Sequence, residues 1–432
     1  MRWLPTKVSN VLLTSDSGVW GEEDKDAGIS ILRSTNMQND GTIDFSKLAL
    51  RAIPKSKREA KVLAPGDILL ENSGGGPRQP VGRVCYFEGD KRAHVAGNFC
   101  RRLRPNQKLI SPRFLFWHLF YAHSRGETLR FQTQTTGIRN LQFQSYSKQP
   151  LLLPSISEQR RIVQVLDHAD CLRKVSHDAD AKSVRILPAL FIKMFGDPAT
   201  NPMGWTMSTL GQLADERPEY GANASACKPS NDKPRYIRIT DITENGSLSD
   251  KDVVSLDTDA WQQYLLDTGD VLFARSGNTV GKTYIYRPTD GRCSFAGYLI
   301  RFQFRSGKVD PWFIFGLSRT SYYRAWVESH KRVAGQPNIN GKEYAALRIP
   351  EPPLALQQEF ASRAMSLDIL ISQTADAATQ FDSLFKTLLQ HAFSGKLTAK
   401  WREAHMRELL TEIQEQGRLL DLPIPVAMEN TP

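Results

Sequence analysis

Pro65-Gly66-Asp67-Ile68-Leu69-Leu70 recurs as Thr268-Gly269-Asp270-Val271-Leu272-Phe273, and this recurrence decides the architecture. Upstream, Leu32-Arg33-Ser34-Thr35-Asn36-Met37 followed by Asp40-Gly41 answers Ile237-Arg238-Ile239-Thr240-Asp241-Ile242 followed by Asn245-Gly246. Downstream, Ser73-Gly74 matches Ser276-Gly277, Val81-Gly82-Arg83 matches Val280-Gly281-Lys282, and Ala96-Gly97 matches Ala296-Gly297. Gly137, Asn140-Leu141 and Tyr146 then match Gly335, Asn338-Ile339 and Tyr344, and Pro154 with Glu158-Gln159 matches Pro353 with Gln357-Gln358. The order never changes and the offset stays between 198 and 205, so the chain is one unit written twice.

Each copy opens with short β-rich apolar runs separated by Gly, Pro, Asn and Asp. It closes, after a proline-bounded strand, on a long helical stripe. In the second copy Phe360, Ala364, Leu367, Ile371, Thr374, Ala378, Phe381, Phe385, Leu388 and Ala392 alternate at four and three. In the first, Ile162, Val165, Ala169, Leu172, Ser176, Ala179, Ser183, Ile186 and Leu190 do so, with Pro188 expected to kink or end the helix. Two stripes in one chain pair most simply as antiparallel helices. The expected fold is therefore mixed α/β (α+β): globular domains at 1–153 and 201–350, spacer helices at 154–200 and 351–397, and an amphipathic tail at 398–432.

The chain has 432 residues and a net charge of +10, with 40% apolar and 24% charged residues, a composition that argues against extensive disorder. No apolar run approaches the ~20 residues needed to span a bilayer. The opening Met1-Arg2-Trp3-Leu4-Pro5 does not read as a leader, and five cysteines form no CxxC pair, so a cytoplasmic location is expected. Residues 1–153 carry a net +10, against +1 for 154–200, +3 for 201–349 and −4 for 350–432. A positive field concentrated in one third points to a polyanion, although an unevenly charged surface would give the same count.

These residues resemble the specificity subunit of type I restriction–modification enzymes. The likeness rests on the ordered repeats, the two Gly-Asp strands, the Pro-x-x-x-Glu/Gln-Gln helix entries and Phe393-Ser394-Gly395-Lys396-Leu397. It implies that each β-rich region is a target recognition domain reading one half of a split double-stranded DNA sequence. It also implies that the helices act as a ruler and hold two DNA adenine methyltransferase subunits, with restriction/translocase subunits completing the complex. S-adenosylmethionine, ATP and Mg are then expected on those partners, with no cofactor, metal or catalytic residue on this chain and no membrane contact. One departure is that Gln357 stands where the first copy has Glu158, with no arginine following. Independently, a rod of ~45 Å spans about 13 base pairs, enough to separate two reading sites.

Two loops recur with side chains suited to DNA. The first holds Asn72, Ser73, Arg78, Gln79 and Arg83 in one copy and Arg275, Ser276, Asn278 and Lys282 in the other. Arginine reads guanine, Asn and Gln read adenine, and Ser and Lys hold phosphate. The second spans 132–140, with Gln134, Thr135, Thr136 and Arg139, and 331–340, with Arg332, Gln336, Asn338 and Asn340. Asn140 and Asn338 occur in both copies, which fits loop shaping as well as base reading. Arg101, Arg102 and Arg104, with the run Lys55–Lys61, are expected to attract phosphate or simply to be solvated. Phe114, Phe116, Trp117, Phe313 and Phe315 read as core.

Two other classes compete with DNA recognition. Ser276-Gly277-Asn278-Thr279-Val280-Gly281-Lys282-Thr283 is one residue from a nucleotide-binding P-loop. Such a loop must lead into a helix, whereas Thr283-Tyr284-Ile285-Tyr286 alternates like a strand. A protein-only adaptor is the other alternative. No HExxH, paired Cys/His spacing, GxSxG elbow or Asn-Pro-Pro-aromatic methylase motif occurs.

Overall fold

The computed structural model describes residues 3–76, 79–135, 137–331 and 337–422. It packs as two compact units, 1–173 with 381–432, and 174–380. Each unit holds one β-rich region and a stretch of each long helix.

Both units are organised around the repeated Gly-Asp. Gly66 and Gly269 each sit at φ +94°, a left-handed turn that glycine adopts without steric cost. The aspartate then closes the turn. Asp67 accepts the Ala64 amide at 2.8 Å and both arms of Arg104, at 2.8 and 2.7 Å. Asp270 accepts the Asp267 amide at 3.0 Å and Arg305 at 2.7 Å. Burial pushes the Asp270 carboxyl above the usual range, although Arg301 and Arg305 oppose the shift.

From this turn runs the central strand of an antiparallel sheet whose order repeats. In the first unit it is Leu12–Ser17, Cys100–Pro105, Ile68–Glu71, Val84–Tyr86. In the second it is Glu219–Tyr220, Leu299–Gln303, Asp270–Ala274, Thr283–Ile285. A parallel pair accompanies each sheet, Ile29–Leu32 with His94–Ala96 and Arg235–Ile237 with Cys293–Phe295. Each region is tied off where it meets its helix, by Leu4–Lys7 against Pro150–Leu153 and by Met207–Thr209 against Arg348–Pro350.

The expected aromatic core is present. Phe114, Phe116, Trp117, Phe313 and Phe315 are all buried on the helices Pro112–Ser124 and Pro311–Leu317. Trp117 meets Phe385 of the second long helix edge-on at 5.4 Å, and Phe313 lies 5.2 Å from Phe191 and 4.8 Å from Phe195.

The long helices are Ile156–Ser183 and Leu354–Phe393, 28 and 40 residues, or ~42 and ~60 Å at 1.5 Å per residue. They run antiparallel within each unit. In the first, Glu158 meets Thr398 and Arg173 meets Asp382; in the second, Ser183 meets Thr374 while Phe191 meets Phe360. The second helix buries Phe360, Ala364, Ile371, Ala378, Phe385 and Ala392 as its stripe predicts. The first departs from its stripe. Leu172 and Ile186 are exposed, whereas Asp170, which lies off the stripe, is buried; Ser183 is buried as expected. Arg173 takes the inward place, pairing with Asp170 while its guanidinium lies 4.8 Å over the Phe385 ring, a cation–π contact where the stripe expects an apolar one. The helix also ends at Ser183, before Pro188, which sits in the first turn of Ile186–Phe195 where no amide hydrogen is needed.

The helix entries correct the repeat alignment. Gln159 donates to the Pro154 carbonyl at 2.8 Å and accepts the Ser111 amide at 2.7 Å. Gln357 donates to the Pro352 carbonyl at 2.7 Å and accepts the Asp310 amide at 3.0 Å. Gln357 is therefore the counterpart of Gln159, not of Glu158. Glu158 instead belongs to a buried cluster with Trp3, Thr398 and Arg402, by which the tail grips the first unit.

The same unit carries a titration. Burial lowers the pKa of His118 and of His123 to about 4. The unfolded chain takes up protons below about pH 6.5 and the folded chain does so only near 4. Stability is thus complete above that window and declines as the pH falls through it, on the order of 3 kcal/mol for His118 alone. Urea unfolding at pH 7 and 4.5 should show the decline, with a shallower one in His118→Gln. An equal slope in that variant would exclude His118 as the source.

Candidate nucleic-acid interface

In each unit the two recurrent loops lie side by side. In the first, Ser73–Gly75 pairs with Ile138–Leu141, which pairs in turn with Gln132–Thr135. Asn140 stands opposite Ser73, Arg139 opposite Gly75, and the Leu141 amide donates to the Asn72 carbonyl at 2.8 Å. In the second, Ser276 bridges to Asn338, and the Ile339 amide reaches the Arg275 carbonyl at 2.9 Å. Asn140 and Asn338 hold the corresponding place in this pairing, which gives a physical reason for their recurrence. Segments some sixty residues apart thus form one polar ribbon at the end of the central strand.

The ribbon presents several of the candidate side chains. Gln79, Gln134 and Asn278 are exposed, and Arg139 is half-buried on the middle strand. Arg275 lies 4.8 Å over the Tyr220 ring and directs Nε towards the Asn338 side-chain oxygen at 3.4 Å. The Asn72 side-chain oxygen and the Ser276 hydroxyl are buried and lack a partner among the described residues. Arg78, Thr136, Arg332 and Gln336, with the Thr135 side chain, lie outside the described residues.

Other candidates are committed to the fold. Arg83 grips Glu71 with two hydrogen bonds of 2.8 Å and donates to the Met37 and Ser34 carbonyls at 2.9 and 3.2 Å. It therefore crosses the interior instead of facing a ligand, and its pairing with Glu71 raises its pKa. Lys282 donates to the Ile242 carbonyl at 3.1 Å and pairs with the exposed Glu244 at 2.9 Å. Arg102 is only 4% exposed, bound to Asp16 and to the Val62 and Ala60 carbonyls, and it depresses the Asp16 pKa against the cost of burial. Arg101 lies 4.0 Å over the Phe143 ring and donates to the Ser15 carbonyl at 3.1 Å, while Arg104 holds Asp67. The arginine cluster is thus structural: its side chains alternate across a strand whose neighbours supply carboxylates and carbonyls. The Lys55–Lys61 run forms an exposed helix. Asn340 caps the helix Gly341–Ala345, accepting the Lys342 and Glu343 amides at 2.9 and 3.0 Å while Glu343 answers its own amide at 2.7 Å.

Sequence reasoning passed over Phe99 and Tyr298. Both are exposed, at 43% and 59%, and both anchor the polar ribbon through their carbonyls. The signal was weak because the frame slips by one after Ala-Gly, setting Asn98 rather than Phe99 against Tyr298.

The P-loop reading finds no helix to support it. Gly277–Thr279 is a single 3-10 turn and Thr283–Ile285 a buried strand, so no helix N-terminus follows Lys282. Among the described residues no group of three or more His, Cys, Asp or Glu side chains could hold a metal, and no helix is long and apolar enough to cross a membrane.

Two copies of one recognition domain joined by paired helices define a class of DNA-specificity proteins. The type I restriction modification DNA specificity domain matches residues 22–174 and again 202–378, and the chain belongs to that family of non-catalytic recognition subunits. It is 25% identical over 418 residues to the type I restriction enzyme StySPI specificity subunit of Salmonella potsdam, covering 92% of this chain and 88% of that protein. To the EcoKI specificity subunit of Escherichia coli K12 it is 24% identical over 428 residues, again covering 92% and 88%. In fold it is similar to the S subunit of a type I restriction-modification system from M. genitalium, at 13% identity and a TM-score of 0.59, covering 90% of this chain and 96% of that one.

Proposed function

We propose that the two units each read one half of a bipartite, non-palindromic duplex sequence. In this reading Gln79, Gln134 and Arg139 form the reading face of the first unit, and Arg275 and Asn278 that of the second. The observation that carries it is the repetition of one ribbon on one scaffold with different side chains. A shared frame with divergent polar tips is what two readers of different sequences require. The helical pair sets the unspecified gap and holds two methyltransferase subunits, with restriction/translocase subunits beside them. S-adenosylmethionine, ATP and Mg act on those partners. The experiment is methylome sequencing of cells expressing the chain with its methyltransferase. The expected result is methylated adenine within a split consensus of fixed gap; methylation with no split consensus would overturn the proposal.

A further inference from the structure

We infer that Phe99 and Tyr298 are the apolar readers of their units, each making the base-edge contact that hydrogen bonding cannot provide. The inference rests on the reading proposed above and adds a residue class to it.

Three observations carry it. First, each residue keeps a large exposed surface, 43% and 59%, where most aromatic residues of the units are buried or half-buried. Second, the position is the same in both. The Asn72 and Ser73 amides donate to the Phe99 carbonyl at 2.8 and 3.1 Å, and the Arg275 amide donates to the Tyr298 carbonyl at 3.0 Å. Each aromatic residue is thus bonded, backbone to backbone, to the strand that carries the polar readers, so its main chain and the ribbon keep a fixed relation. Third, the ribbon makes room for the ring. Gly74 sits at φ +104°, and a Cβ there would lie 3.3 Å from the Phe99 ring. A side chain at Gly74 would be strained and would crowd the ring.

The chemistry that fits is an apolar group on a base edge. In the major groove thymine is marked by its C5-methyl, which Phe contacts and amides or guanidinium groups do not. Tyr298 offers the same face with a hydroxyl at its tip, so the two units need not prefer the same base.

The test is methylome sequencing with Phe99→Ala and with Tyr298→Ala, each in the full chain with its methyltransferase. Phe99→Ala is expected to relax discrimination at one position of one half-site by about tenfold or more, and Tyr298→Ala to do so in the other half. An unchanged consensus in both variants, or a uniform loss of methylation with no positional change, would overturn the inference. A wild-type chain lacking a split consensus would instead overturn the underlying reading. If alanine lowers the melting temperature, Phe99→Leu and Phe99→Asn decide between packing and reading, because they are similar in size. Only Asn should relax the position.

Discussion

Arg83→Ala is expected to destabilise the first unit by about 3–5 kcal/mol, because it strands a buried carboxylate. Glu71 is 3% exposed and Arg83 12%, and the guanidinium meets both carboxylate oxygens at 2.8 Å. The Met37 carbonyl loses its donor as well, while the Ser34 carbonyl keeps only the Met37 amide. The equivalent change in the second unit should behave differently. Lys282 pairs with a Glu244 that is 89% exposed, and a solvated pair contributes about 0–1 kcal/mol. Chemical unfolding of Arg83→Ala and Lys282→Ala, followed by a signal from each unit, separates the two. Replacing both Arg83 and Glu71 by apolar residues should recover part of the loss, since no charge is left unpaired. An Arg83→Ala chain that unfolds like wild type but loses one half of its target would show that Arg83 reads DNA and does not bind the fold together.

The difference between those two sites marks where sequence reasoning reached and where it stopped. The repeat was legible because the Gly-Asp turn, the Tyr146 and Tyr344 positions and the paired asparagines serve the shared scaffold, and one scaffold built twice calls for the same residues twice. The aromatic core was legible because its residues have one place to go. Ion pairs were not. Nothing near Arg83 in the chain announces Glu71 as its partner, because the contact depends on a hairpin closing twelve residues back. Arg102 and Asp16 are 86 apart, so a basic run that looked solvated is threaded through carbonyls. The first helix misled for a different reason. A 3.5-residue template assumes that inward positions are apolar, and Arg173 fills one with a guanidinium held over the Phe385 ring. The one-residue slip at Gln159 and Gln357 arose from matching letters, where the structure matches hydrogen bonds.

Replacing Arg139 and Arg275 together is expected to have the largest effect on recognition. Each sits on its ribbon without an ion pair to a described carboxylate. Arg275 is oriented by the Tyr220 ring and Asn338, which aligns its guanidinium before any ligand arrives. An arginine so placed can grip guanine with two hydrogen bonds, and losing one such pair costs ~1–3 kcal/mol of discrimination. The two residues lie in separate units and share no partner among the described residues, so their costs should add to about 2–6 kcal/mol. The single changes should relax different halves of the target. The double variant should lose preference at both while keeping the gap between them, since neither residue belongs to the long helices. Methylome sequencing reads all three chains, and binding to random duplex across a salt series supplies the control. A base reader leaves the salt slope nearly unchanged, whereas a phosphate contact reduces it by about one for each charge removed. If Arg139→Ala lowered the slope and weakened every sequence alike, that residue would be an anchor on the backbone, and the specificity of the first unit would pass to Gln79 and Gln134.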